Sequence, residues 1–262
     1  MRGLRITASL TKYALLATIR TPRAVIFTLV FPVLILIIFN SLYASSPGAD
    51  NQTVSGLTVT ATAYLTAGMV AYATALTGFT QTVTSVTFQR EAGQLKRLRG
   101  TPMPGWSFVA AQAIRVTVQV LLLIVLMILI AVVFYGLHVA AGPLVGVAVY
   151  GVLGGLTFTA LGLAVSSLTT SADSAGPISA FPIVLLSFIS GVFIPVSQLG
   201  STMRDIGNAF PLAHLAQGMQ AALGADAQGL ELHWKDLRSL LLWIAIATFV
   251  AVRRFQWEPR GR

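Results

Sequence analysis

Long runs of apolar residues without a single charge dominate this sequence and leave few folds open to it. A helix needs ~20 apolar residues to cross the hydrocarbon layer, where every backbone polar group must be bonded internally. Six stretches meet that requirement, at about 24–43, 59–83, 108–135, 143–167, 177–197 and 237–253. The chain has 262 residues, of which 55% are hydrophobic and only 10% charged, against about 25% charged in soluble domains. The sixth stretch is the weakest. Only Ser239 to Val252 is free of charge there, so Arg238 and Arg253 must reach the interfaces on their aliphatic stems. The pattern predicts an all-α membrane protein, residues 1–262 forming one transmembrane domain of six helices.

Charge placement orients those helices. Arg2, Arg5, Lys12, Arg20 and Arg23 precede the first stretch without any acid among them. Arg90, Lys96, Arg97 and Arg99 lie between the second and third, and Arg253, Arg254, Arg260 and Arg262 follow the sixth. Most of the acids fall on the other side. The positive-inside rule therefore expects both termini in the cytoplasm, with the net charge of +9 serving topology and lipid contact rather than nucleic acid. The first stretch reads as an uncleaved anchor, not a signal peptide. Asn51-Gln52-Thr53 matches a glycosylation sequon, which a bacterial origin would leave silent.

Within that frame some residues stand out. Segment 1–22 reads as an interfacial amphipathic helix, with Arg2, Arg5, Ser9, Lys12 and Arg20 on one side, Ile6, Leu10, Tyr13 and Ala17 on the next, and Thr21-Pro22 turning the chain into the bilayer. In the second stretch Thr66, Thr74, Thr77, Gln81 and Thr84 share one face, expected to look into the protein. That face is either a substrate path or dimer seam, or a set of hydroxyls bonded to their own helix. Gln81 needs an interhelical partner. Arg115, the one cation inside the third stretch, is expected to snorkel or pair with a neighbour. Gly142/Gly146 and Gly151/Gly155 permit close helix approach. Pro177, Pro182, Gly191 and Pro195 should bend or interrupt the fifth stretch, whose Phe181, Leu185 and Phe188 either pack or receive an apolar ligand. Segment 198–236 is too long and apolar for a plain loop, and Leu199–Phe210 and Ala213–Leu223 look like short helices.

Residues 89–102 form a charged, helix-like insert between two spans. Leu95 and Leu98 share a face, Glu91 lies one turn before Leu95, Gly93 keeps one side narrow, and Gly100 with Pro102 ends the helix. A solvated loop whose cations only set topology is the alternative. Glu91, Gly93, Leu95, Leu98, Thr101 and Pro102 in this order resemble the coupling segment of type-2 ABC exporter permeases, the daunorubicin-resistance-like exporters of drugs and antibiotics, although Gln94 stands where threonine is usual. Ser190 to Ser197 and Phe210 to Gly218 resemble the same family further downstream.

That resemblance implies a cytoplasmic coupling helix at 89–102 that docks on an ATPase through Glu91, Gly93, Leu95, Arg97, Leu98, Thr101 and Pro102. It implies an elbow helix beside it and a re-entrant outer segment whose gate includes Gly191, Pro195, Phe210, Pro211 and His214. Partners would be two ABC ATPase subunits carrying ATP and Mg, a second identical or homologous permease, and membrane lipid. The cargo would be a hydrophobic or lipid-like small molecule exported across a bacterial cell membrane, along a path including Thr66, Thr77, Gln81, Thr84, Phe181 and Phe188. The chain holds no Gly-Lys dipeptide and so no phosphate loop of its own. Without cysteine, His138, His214 and His233 make no metal set. No cofactor and no catalytic residue is expected here. An ATP-independent carrier or channel is the competing reading, and a non-transporting scaffold a third; ion-coupled carriers usually hold ionisable groups near the midplane, where only Arg115 is available.

Overall fold

A computed structural model of the chain describes residues 2–20, 26–44, 52–54, 56–169, 171–224, 227 and 229–255. The turn expected at Thr21-Pro22, Asn51 of the sequon and the terminal arginines Arg260 and Arg262 lie outside them. The chain opens with α1 (Arg2–Ile19). A π-helical turn, Ile26–Val30, leads into α2 (Phe31–Ala44). A hairpin of β1 (Gln52–Val54) and β2 (Leu57–Val59) follows, antiparallel with Thr53 opposite Thr58. Then come α3 (Ala61–Ala75), a π-helical segment Leu76–Thr80 and α4 (Gln81–Glu91), which run on as one rod. Next are α5 (Gln94–Arg99), α6 (Gly105–Tyr135), α7 (Ala141–Ser166) and α8 (Ala172–Ile189). The chain ends in α9 (Ser201–Asn208), α10 (Pro211–Ala222) and α11 (Trp234–Arg254).

By length and apolarity, α6, α7 and α8 can each cross a membrane, and Phe31–Leu42 is a shorter apolar helix. The other expected spans fall on α2, the α3–α4 rod and α11. The chain is predominantly helical, in line with the all-α expectation, and the short hairpin lies between α2 and α3. Gly56 at φ +85° turns it, and the alternating Thr and Val on either side supply strand formers.

The α3–α4 rod lies at the centre. Every residue from Ala63 to Ala75 is buried, because alanine, glycine and threonine let neighbours approach on all sides. A Cβ at Gly68 would stand 2.7 Å from the carbonyl oxygen of Val192, and one at Gly78 would stand 2.7 Å from Phe158 Cβ. Of the glycine pairs of α7, Gly151 and Gly155 lie against Ile124 and Val120 of α6, while Gly146 meets the backbone at Leu230, outside any helix. The fifth span is corrected at both ends. The helix begins at Ala172, continues through Pro177 and Pro182, and stops at Ser190-Gly191 instead of reaching residue 197.

Candidate functional site

At one end of the bundle the expected helix 89–102 is divided. α4 carries Arg90 and Glu91 as its last residues, and α5 begins only at Gln94. The break is at Gly93, whose φ of +69° strongly favours glycine. Nothing lies within 4 Å of a Cβ placed there, so Gly93 serves the turn and not a close approach. Leu95, expected on the docking face, is fully buried among Val86, Phe108, Leu163, Ala164 and Ala251. It fastens α5 to its own bundle. The Thr101 hydroxyl donates to Leu98 O at 2.6 Å and helps end the helix. Gln94, Lys96, Arg97, Arg99, Thr101 and Pro102 are exposed, which leaves α5 a basic outward face.

Arg90 and Glu91 hold the ends of two other helices. Arg90 is buried and donates through Nη1 to Ser166 O at 2.8 Å and through Nη2 to Thr169 O, at the C-terminus of α7. Glu91 Oε2 accepts from Ala172 N at 2.8 Å, the first residue of α8. The signs suit the helix ends, a cation where α7 leaves carbonyls free and an anion where α8 leaves N–H groups free. The end of α4, just before α5, is therefore tied to two other helices. Sequence spacing could not reveal these contacts, because the partners lie in a different turn of chain.

A second polar group lies between α1, α4 and α6. Arg115 is buried rather than snorkelling. Its Nε donates to Gln112 Oε1 at 3.0 Å, and its Nη1 to Gln119 Oε1 at 3.1 Å and to Gln81 Oε1 at 3.2 Å. Gln119 Nε2 in turn donates to Thr18 Oγ1 on α1 at 3.2 Å. Gln81 thus has the interhelical partner its amide needs. Of the polar face, Thr66, Thr74 and Thr77 are buried, and Thr84 bonds to Thr80 O on its own helix at 2.8 Å. α1 packs on the bundle through small and hydroxyl residues. Gly3, Thr7 and Thr11 turn inward, with Gly3 beneath Trp106, while Leu4, Tyr13 and Ile19 stay exposed.

At the other end, Gly191 is a hub. Its φ is +76°, and its carbonyl accepts from Tyr64 OH on α3 at 2.6 Å and from Gln220 Nε2 on α10 at 2.8 Å. α10 is buried on nearly every side, and Gly218 lets the Tyr150 ring of α7 lie against its backbone. Pro211 occupies its first position, where a missing N–H costs nothing. His214 Nδ1 lies 2.7 Å from Asp236 Oδ1 on α11, and His214 Nε2 lies 3.0 Å from Asn208 O. Both ring nitrogens face acceptors, so Nε2–H donates to Asn208 and the Asp236 contact needs a proton of its own. Phe210 stacks on Trp243 of α11, with ring centres 6.3 Å apart. Pro195 is buried beside a small cavity of about 130 Å³.

Phe181 and Leu185 are mostly exposed, and Phe188 is only partly covered. Phe181 is 70% exposed and Leu185 55%, while Phe188 touches Phe193. Among the described residues no group of three or more acids and histidines could hold a metal.

The family model described as ABC-2 type transporter matches residues 6–223, from α1 to the end of α10 and thus across both ends of the bundle. No curated protein matches the chain.

Proposed function

The chain belongs to the ABC-2 type transporter family, and from that premise we propose that it is the permease of an ATP-driven exporter. As a permease it is the membrane component of an ABC transporter and not the catalytic ATPase domain. The proposed assembly pairs it with a second identical or homologous permease and with two ATPase subunits that bind ATP and Mg on the cytoplasmic side. Both termini lie on that side of a bacterial cell membrane. The cargo is a hydrophobic or amphipathic drug, antibiotic or lipid-like molecule.

The observation that carries this reading is the Arg90–Glu91 pair, which joins the ends of α7 and α8 beside the exposed basic face of α5. Lys96, Arg97 and Arg99 dock on the ATPase, while Leu95 keeps α5 fixed to the bundle. When the two ATPase subunits close on ATP, α5 moves, and Glu91 draws the start of α8 with it. The far end of α8 is the Gly191 hub, so displacement there loosens the contacts of Tyr64 and Gln220 and opens the outer side. Reversing a 1:99 population requires ~5.5 kcal/mol of differential binding, which ATP-driven closure must supply. The exposed stripe of Phe181, Leu185 and Phe188 faces the second permease or the cargo.

Proteoliposomes holding the permease with its ATPase test this. Reversing α5 with Lys96→Glu and Arg97→Glu is expected to abolish co-purification of the ATPase. Glu91→Gln is expected to keep co-purification but lower export per ATP by up to about fivefold, the ~1 kcal/mol that a charge at an exposed helix end contributes. Export without any ATPase, or unchanged export per ATP in Glu91→Gln, sinks the reading. The competing ATP-independent carrier draws on the buried His214–Asp236 pair, and it requires cargo movement driven by a proton gradient alone.

A further inference from the structure

Arg115 has more hydrogen-bond donors than the protein answers. A guanidinium carries five N–H groups. Nε and Nη1 spend three of them on glutamine oxygens of Gln112, Gln119 and Gln81. Both N–H groups of Nη2 are buried without an acceptor. Among the described residues no acid pairs with this cation. The glutamines supply dipoles but no counter-charge. A permanent cation, desolvated in a helix suited to crossing a membrane and open at one nitrogen, lacks an anion.

Beside it lies a route for a greasy molecule. A groove of about 570 Å³ runs along α1, lined there by Leu4, Thr11, Lys12, Leu15 and Ile19 and bordered on α6 by Ile114. Ile114 precedes Arg115, and Thr18 on α1 holds the amide of Gln119. The two helices that form the groove therefore also form part of the arginine cluster.

We propose that Arg115 receives the acidic headgroup of an amphiphile, a phosphate, carboxylate or sulfonate, whose hydrocarbon chain lies in the α1–α6 groove. Parting α1 from α6 gives the headgroup access to Nη2, where one anionic oxygen accepts both free N–H groups. No covalent step is involved. The proposal refines the cargo class of the exporter reading and rests on that reading for its purpose, but the binding itself needs no ATPase.

The test uses the full chain, purified alone in a neutral detergent and titrated with phosphatidylglycerol, phosphatidylcholine or inorganic phosphate. Binding is read by native mass spectrometry and thermal shift. Phosphatidylglycerol is expected to bind about tenfold more tightly than phosphatidylcholine, a difference of about 1.4 kcal/mol. Arg115→Met is expected to bring that ratio to about one, and Arg115→Gln serves the same purpose if the first variant does not fold. Lys12→Gln, which removes an exposed cation, is expected to change the ratio by less than about twofold. Inorganic phosphate alone is expected to give no shift. Equal binding of the two lipids by the unaltered chain overturns the proposal, as does a preference that vanishes with Lys12 and survives loss of Arg115. A shift from inorganic phosphate as large as that from phosphatidylglycerol assigns the site to a free anion and overturns it too. Because no ATPase is present, this outcome stands apart from the co-purification and export measurements that decide the exporter reading.

Discussion

The two ends of the bundle solve the same task, tying loops to helices, with opposite chemistry. At the α5 end the ties run from charged side chains to helix termini, and Glu91 makes its bond in an exposed position. Such contacts contribute about 0.3–1 kcal/mol each and are weakened by salt. At the α10 end the ties are buried. Tyr64 and Gln220 converge on the Gly191 carbonyl, and His214 Nδ1 lies 2.7 Å from Asp236 Oδ1 inside the protein. Contacts of that kind gain little over water when intact but cost several kcal/mol when one partner is removed. On the exporter reading proposed above, the contrast suits a device pulled through one end and held shut at the other. Arg90 is the exception that sharpens it, because it is buried at the α5 end and gives α7 a fixed anchor beside the releasable one on α8.

The largest effect should come from the buried pair. Asp236→Ala leaves His214 facing an empty position and is expected to destabilise the chain by about 4 kcal/mol, read as a shift in thermal or denaturant unfolding. A loss below about 1 kcal/mol would mean that the α10 end is no stiffer than the other. Leu95→Ala comes next. Full burial in the cluster under α5 predicts a loss of about 3 kcal/mol in the same measurement. An effect near zero there would return Leu95 to an exposed docking role. Glu91→Gln should have the smallest effect on stability, within about 1 kcal/mol. A much larger loss would make Glu91 a structural anchor like Arg90 and remove the asymmetry between α7 and α8.

Much of this was legible beforehand. The apolar runs placed α6 and α7 within a few residues, and segment 198–236 announced two short helices that became α9 and α10. The partner required by Gln81 could be anticipated from the cost of a buried amide. Other features were not legible. The division of 89–102 at Gly93 depends on a positive φ, and glycine at that position is equally compatible with a close helix contact. The face that α1 turns to the bundle was not legible, because Gly3, Thr7 and Thr11 acquire that role only when Trp106 and Ser107 are set beside them. The hairpin was missed because its strands are only three residues each and border an apolar span.

By itself, the order of residues decided which segments leave water, where the cations gather and where α5 must interrupt the apolar pattern. Those outcomes follow from transfer free energies that add along the chain and need no knowledge of neighbours. Tertiary structure alone decided that Arg90 and Glu91 grip two different helices, that Leu95 faces inward and that Arg115 meets no acid among the described residues. In a medium of low dielectric the state of a polar group depends on which other groups reach it, and that is settled only when distant helices meet.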